Sequence, residues 1–235
     1  MATEKSKDLV RMAVAKAKLM EPLKEAELQV NQAALVIGGG IAGLTAAKTL
    51  SNQGYHAYLI EKSDRLGGQA LHIHETWQSE DVQRNLNRMI AEIQADQNIT
   101  AFTNAEIIKT DGFVGNFKTT IQTGAKTEEL MHGVTIIASG ALELKPDQYL
   151  YGQDERVLTG LELDRKLIAH DPDISRKKAA LFIQCVGSRI PERPYCSKVC
   201  CTHSIKNALQ LKKLNPEMDV YILYRDIRTY GEKEK

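Results

Sequence analysis

The sequence predicts an α/β protein in which a parallel sheet is interrupted by an antiparallel β-meander and followed by the start of a second βαβ unit. Three observations predict it. A short apolar run, Ala33 to Ile37, passes through Gly38-Gly39-Gly40 into a helical pattern and then into another apolar run, Tyr55 to Ile60. Between Ile99 and Ala138 the chain changes to short β runs punctuated by Asp111-Gly112, Gly115-Asn116, Gly124 and Gly133. A further apolar strand, Ala179 to Gln184, leads directly into four cysteines and a second helical pattern.

The elements follow in order. Leu9, Met12, Ala13, Met20 and Leu23 recur at helical spacing, which predicts an amphipathic lead-in helix ending near Pro22 and packed on the domain behind it. Ile41 to Leu50 is the crossover helix of the first unit, closed by Asn52-Gln53-Gly54, and Tyr55 to Ile60 is the strand that ends at Glu61. Val82, Leu86, Met89, Ile90 and Ile93 mark a surface helix. After the meander comes the strand Val134 to Ala138, and from Leu142 to about His170 the pattern predicts a linker and one helix. Thr202 or Ser204 is the expected cap of a helix beginning near Ile205, and Val220 to Tyr224 is the next strand. The expected divisions are a lead-in helix over 1–30, a nucleotide-binding part over 31–145 and a partial second domain over 146–235.

Composition excludes some classes of function. The 31 Lys and Arg balance 30 Asp and Glu, so no charge excess points to nucleic acid or a membrane surface. The start, Met1-Ala2-Thr3-Glu4-Lys5, is polar and no secretory apolar segment follows it. No apolar stretch approaches the roughly 20 residues that a bilayer span needs. All 4 cysteines fall in one window, Cys185 to Cys201, whereas a secreted disulfide framework would spread them to staple distant segments. The expectation is a cytoplasmic protein with metal or redox chemistry.

Gly38-Gly39-Gly40-Ile41-Ala42-Gly43 fits the G-x-G-x-x-G dinucleotide fingerprint. In that pattern Gly38 allows the tight turn, Gly40 admits a pyrophosphate close to the backbone, and Gly43 lets helix pack on strand. The phosphates would meet the free N–H groups at the helix N-terminus. Glu61, at the end of the next strand, is placed to hold ribose hydroxyls. The segment Glu61-Lys62 followed by Leu66-Gly67-Gly68-Gln69 resembles the acid-plus-GG segment of two-dinucleotide-domain flavoproteins such as the thioredoxin reductases. Ala138-Ser139-Gly140 resembles their alanine-threonine-glycine segment, with serine replacing threonine. These likenesses imply a thioredoxin-reductase-like Rossmann-type domain that binds FAD along Gly67, Gly68 and Gln69. The second βαβ unit has Cys185-Val186-Gly187-Ser188-Arg189 where a second glycine fingerprint would stand, so no NAD(P)H is expected there.

The spacing C-x10-C-x3-C-C gives Cys185, Cys196, Cys200 and Cys201. Four thiolates are what a [4Fe–4S] cluster requires, one per iron. A structural zinc also takes four, usually as two knuckles with two to four residues between ligands, which adjacent Cys200 and Cys201 fit badly. A redox dithiol would use a C-x-x-C pair, which is not present, and buried inert thiols are the remaining alternative. Arg189, Lys198 and Lys206 bring positive charge close in sequence, which favours thiolate.

Longer segments are similar to one family. Phe182 to Arg189, Tyr195 to Cys201, Tyr224 to Gly231 and, near the start, Asp8 to Ala17 resemble the HdrA family of heterodisulfide reductase subunits. The resemblance covers most of the chain, and the cysteine segment is its specific part. It implies an iron–sulfur flavoprotein in which Cys185, Cys196, Cys200 and Cys201 hold a [4Fe–4S] cluster beside FAD, with Lys206 near the flavin ring. It further implies flavin-based bifurcation: electrons arrive from a hydrogenase or formate dehydrogenase partner and leave to ferredoxin and to subunits that reduce the coenzyme M–coenzyme B heterodisulfide. The family's N-terminal iron–sulfur segment, its C-terminal ferredoxin-like domains and the return segment of its FAD domain have no match here. A flavin disulfide oxidoreductase using a cysteine pair, or a non-catalytic assembly fragment, are the alternatives.

Overall fold

A computed structural model describes residues 2–22 and 27–229; Leu23 of the expected lead-in stripe and Tyr230-Gly231 of the C-terminal segment lie outside the described residues. The chain divides into two compact units, Met1–Val30 and Asn31–Lys235. The first is built on α1 (Ala2–Lys18), whose Leu9, Val10, Met12 and Val14 are each more than half exposed. The helix itself is as expected, and it buries none of its residues.

The second unit is organised around a parallel sheet of order β3-β2-β1-β7. The central strand β1 (Ala34–Ile37) pairs with β2 (Ala57–Ile60) on one side and β7 (Val134–Ile137) on the other, and β3 (Ile99–Phe102) pairs with β2. A parallel strand is buried on both faces, which is why β1 reads as an unbroken apolar run. Alternate residues face opposite layers. Val36 packs with Leu44 and Ala47 of α2 (Ile41–Asn52) and with Leu86 and Ile93 of α3 (Val82–Ala95). Leu35 faces Ile121 and Leu130 of the meander. Asp81 caps α3, accepting from the Arg84 N–H at 2.9 Å.

The meander is the expected antiparallel insertion: β4 (Ala105–Phe113), β5 (Asn116–Thr123) and β6 (Lys126–His132), with a bulge between Ile107 and Lys109. Its inner polar pair, Thr119 and His132, is fully buried and joined at 2.8 Å. Burial holds the His132 imidazole below its ordinary pKa, because charging it there would strip its hydration.

The C-terminal part adds α4 (Gly160–Ile168), α5 (Pro172–Arg176), β8 (Ala179–Ile183), α6 (Cys200–Leu214) and β9 (Asp219–Leu223), with β8 and β9 paired in parallel. Two helices precede β8, where the sequence pattern predicts one. Asp171 caps the short second one and Pro172 stands at its first turn, a start signal too brief to register as a period. Leu167, Ile174, Leu211 and Met218 form the core of this part. The helix after the cysteines begins earlier than expected, at Cys200, with Val199 as its N-cap and no side-chain cap; neither Thr202 nor Ser204 plays that role. Cys200 and Cys201 therefore lie inside the first helical turn rather than ahead of it.

Candidate functional site

Register sets the first site. Ile37 pairs with Ile60 and with Ile137, so the next residues along each strand, Gly38, Glu61 and Ala138, emerge together at the C-terminal edge of the sheet. Chain direction diverges there, since α2 carries the chain from β1 towards β2 while β7 lies on the other side of β1. Open parallel sheets bind ligands at such switch points.

The glycines are required by contact. Gly38 has φ +108°, and a Cβ on it would overlap the carbonyl oxygen of Ala138. A Cβ at Gly43 would overlap the carbonyl oxygen of Gly38, so helix and turn can approach this closely only with hydrogen at that position. The GG segment, far off in sequence, comes onto the same turn: the Gly67 N–H donates to the Gly39 carbonyl at 2.8 Å, and Gly40 bridges Gly67. Gln69 Nε2 donates to the Ala141 carbonyl at 2.9 Å, tying the GG segment to the residue after Ala138-Ser139-Gly140. Three motifs separated by up to a hundred residues thus meet at one place. Gly40 offers no capping side chain, and Ile41 and Ala42 are exposed, so the N-terminus of α2 opens outward with its donors available to an anion.

Glu61 is more deeply used than its expected ribose role. It is buried, its Oε2 accepts from the Gly39 N–H at 2.7 Å, and its Oε1 accepts from the Ser63 N–H and hydroxyl at 2.8 and 2.7 Å. Burial raises its pKa, but these donors outweigh burial and hold the carboxyl below its ordinary range. A carboxylate has about four acceptor positions, so three bonds leave one for a ribose hydroxyl. Lys62 beside it is exposed.

The second site is the cysteine loop between β8 and α6. Cys185 follows β8 directly, and Cys200 and Cys201 begin α6. None of the four forms a disulfide; Cys201 is buried and the others are half-buried. Each thiol has a donor or a neighbour. The Lys198 N–H donates to Cys196 Sγ at 3.3 Å, the Ser197 hydroxyl to Cys200 Sγ at 3.4 Å, and Arg189 Nη1 lies 3.9 Å from Cys185 Sγ. Burial pushes the Cys201 thiol up, against the backbone N–H of Arg228, while Cys200 and Cys185 add like-charge repulsion. Three residues of the loop take the left-handed conformation without being glycine: Cys185 at φ +62°, Arg189 at +58° and Lys198 at +65°. Such backbone costs of the order of 1–2 kcal/mol each and persists where the surroundings over-determine it.

The chemistry of the donor set fits a [4Fe–4S] cluster: four thiols with N–H and O–H donors aimed at sulfur and arginine charge beside them. Among the described residues, no three His, Cys, Asp or Glu side chains are gathered as a metal site.

A buried polar hub, which no sequence motif marks, joins the two sites. Asp164 of α4 is fully buried, and its Oδ1 accepts from Lys206 Nζ at 2.5 Å and from the His74 N–H at 3.1 Å. Its Oδ2 meets His203 Nε2 and, at 3.4 Å, Asn207 Nδ2. His74 Nδ1 is 2.7 Å from Gln210 Oε1. His74 lies just beyond the GG segment, whereas His203, Lys206, Asn207 and Gln210 all stand on α6. Burial raises the Asp164 pKa, but His203 and Lys206 outweigh it and keep the carboxylate ionised. Lys206 is 5 % exposed, so it is no surface lysine. The N-terminus of α4 is the part of this hub that sequence could reveal, since Thr159-x-x-Glu162 is a capping box with both reciprocal bonds formed.

Comparison with known proteins agrees with this geometry. Residues 36–102 match a family model described as an NAD(P)-binding Rossmann-like domain. The chain is 31% identical to the HdrA-type subunit of the H(2):CoB-CoM heterodisulfide,ferredoxin reductase of Methanothermobacter marburgensis, across 98% of this chain and 49% of that protein. It is 27% identical to the corresponding subunit of the H(2)/formate:CoB-CoM heterodisulfide,ferredoxin reductase of Methanococcus maripaludis, across 98% and 49%. Among solved structures, the L-proline dehydrogenase of P. horikoshii superposes with a TM-score of 0.51 at 16% identity, covering 90% of this chain and 39% of that one, which shows a shared fold. The chain spans about half the length of the curated relatives it matches. Along 98% of its residues, this chain is a relative of the HdrA subunits of heterodisulfide reductases.

Proposed function

We propose that this chain is an electron-transfer component of a heterodisulfide reductase-type complex, an oxidoreductase subunit that carries FAD at the glycine turn and a [4Fe–4S] cluster on its four cysteines. The observation that carries the reading is the Asp164 hub, which ties the segment leaving the GG turn to the helix bearing Cys200 and Cys201. Bound FAD supplies a centre that takes electron pairs, and the cluster a centre that takes them singly.

The chain's own residues would do the following. Gly38, Gly40 and Gly43 admit the pyrophosphate to the N-terminus of α2, and Glu61 holds the turn and keeps an acceptor for the ribose. Gly67, Gly68 and Gln69 line the path of the cofactor from one side, with Ala138, Ser139 and Gly140 on the other. Cys185, Cys196, Cys200 and Cys201 ligate iron as thiolates, favoured by the N–H donors on sulfur and by the positive end of α6. Lys206, buried and paired with Asp164, ties the cysteine helix to α4 beside the segment that leaves the GG turn.

Within such a complex, electrons would arrive from a hydrogenase or formate dehydrogenase partner and leave for ferredoxin and for the subunits acting on the heterodisulfide. The relatives' names support this, as they couple hydrogen or formate to the CoB–CoM heterodisulfide and ferredoxin. Crowded unpaired cysteines suit the reducing cytoplasm, and among the described residues no helix is long and apolar enough to cross a membrane.

Anaerobic purification with iron, sulfide and flavin analysis tests the reading. We expect about four irons per chain, and Cys185→Ser and Cys201→Ser should each lower iron while leaving flavin bound. Iron near zero with two titratable thiols would replace the cluster by a redox dithiol.

A further inference from the structure

The cysteine loop and the segment after β9 are joined by a cluster of charges. Ile183 pairs with Leu223, so Cys185 and Arg225 each stand two residues past the end of the β8–β9 ladder, and the segments that follow remain side by side. Arg225 Nη1 donates to the Arg189 carbonyl at 2.5 Å. Asp226 then receives two guanidinium groups, one on each oxygen: Arg189 Nη1 on Oδ1, and Arg228 Nε on Oδ2 at 2.9 Å.

Both arginines lie at the thiols. Arg189 reaches Cys185 Sγ, and its charge acts on that sulfur. The Arg228 backbone N–H donates to Cys201, while its side-chain charge acts on Cys196. The two arginines thus act on different thiols of the four. Arg189 holds φ +58° to do so, and Cys185 φ +62°. An ordinary surface ion pair needs no strained backbone at both the charge and the sulfur it serves.

We propose, on the basis of the cluster reading above, that Arg189 and Arg228, fixed by Asp226, are positioning residues that set the reduction potential of the group held by Cys185, Cys196, Cys200 and Cys201. The physical reason is charge. Four thiolates, four irons and four sulfides form an anionic assembly that gains one more negative charge on taking up an electron. A fixed cation favours the more negative state and raises the potential, whereas a fixed anion lowers it. Asp226 therefore has two opposed effects: it orients both guanidiniums and offsets part of their field.

The test is a reductive titration of the full chain, purified anaerobically, followed by electron paramagnetic resonance, with iron and sulfide measured on every sample. Arg189→Gln should disfavour reduction by about tenfold, a shift of about 59 mV to more negative potential for a one-electron couple. Asp226→Asn, which keeps an oxygen acceptor and removes the negative charge, should shift the potential the other way. Arg189→Lys should restore much of the wild-type value. Opposite signs for the first two variants support the proposal, because general loosening of the loop would move both alike. Unchanged potentials at full iron content, or shifts of one sign, overturn it. If Arg189→Gln cannot hold iron, the sign of the Asp226→Asn shift decides. Wild-type protein without iron would remove the cluster assignment itself, a result distinct from unchanged potentials.

Discussion

Asp164 and Lys206 form an ion pair, 2.5 Å between Oδ1 and Nζ, in which the carboxylate is fully buried and the ammonium nearly so. The pair joins α4 to the cysteine helix at the point where the backbone of His74 also docks. Removing one partner of a buried pair leaves an uncompensated charge, which costs about 3–5 kcal/mol. Asp164→Ala should therefore lower unfolding free energy by about that amount in denaturant titration, because Lys206 and His203 both lose their acceptor. Lys206→Met leaves Asp164 with three other contacts and should cost less. If Asp164→Ala is near neutral, the hub is not what holds α6 in place.

The α4 capping box makes a pH prediction. Glu162 is partly buried, which raises its pKa, but bonds from Lys145, the Thr159 N–H and Tyr151 bring it down to about 2 from an ordinary 4.5. A carboxyl whose folded pKa is depressed stabilises the fold above its unfolded value, and that contribution disappears as pH falls from about 4.5 towards 2. Wild type should exceed Glu162→Gln in stability at neutral pH, with the difference closing across that window. Thr159→Ala, which removes the other half of the box, should cost about 1 kcal/mol at neutral pH. A difference that persisted down to pH 2 would show that the charge of Glu162 is not its source.

Two glycines should respond very differently to alanine. At Gly43 the new Cβ would overlap backbone at Gly38, which neither segment can vacate without moving the nucleotide turn. At Gly124, in the β5–β6 hairpin, φ is +61° and nothing lies within 4 Å of the added carbon. Gly124→Ala should cost only the left-handed backbone term, about 1–2 kcal/mol, and leave flavin content unchanged. Gly43→Ala should abolish flavin retention, measured as the flavin-to-protein absorbance ratio. Equal flavin content in both variants would dissociate the glycine turn from cofactor binding.

Glu61 separates bracing from ribose binding. Glu61→Gln keeps an oxygen acceptor but gives up the charge that favours three short N–H and O–H bonds, so the turn should weaken by about 1–3 kcal/mol and flavin should bind less tightly. Ser63→Ala removes the hydroxyl donor to Oε1 and leaves the Ser63 N–H donor in place. It should reduce stability by about 1 kcal/mol while leaving flavin affinity nearly unchanged. Flavin loss in Ser63→Ala equal to that in Glu61→Gln would mean that both act through the turn alone.

Much of this is legible without coordinates. The βαβ unit, the meander and the second strand–helix–strand sequence are local patterns of apolar spacing and turn residues, and they stand in the structure within a few residues of their expected bounds. Gly38, Gly43, Gly67 and Gly68 can be named because a Cβ at each would overlap a neighbouring atom. Where boundaries move, local chemistry explains it. The cysteine helix starts at Cys200 without a side-chain cap, and α5 is five residues long, below what periodicity can detect. The lead-in stripe on α1 reads the same whether or not another surface covers it.

Sequence alone determined which residues could form strands, turns and thiolate ligands, because those preferences are written in the residue and its near neighbours. Tertiary structure decided which of them meet. Strand register brought Gly38, Glu61 and Ala138 to one edge of the sheet, and the β8–β9 ladder set Asp226 and Arg228 against the cysteines. Burial turned Asp164 and Lys206 from two ordinary charges into the joint between the sites. Those outcomes rest on pairings between residues tens to more than a hundred positions apart, whose partners no local pattern specifies, and on desolvation, which exists only once the chain has closed around the groups concerned.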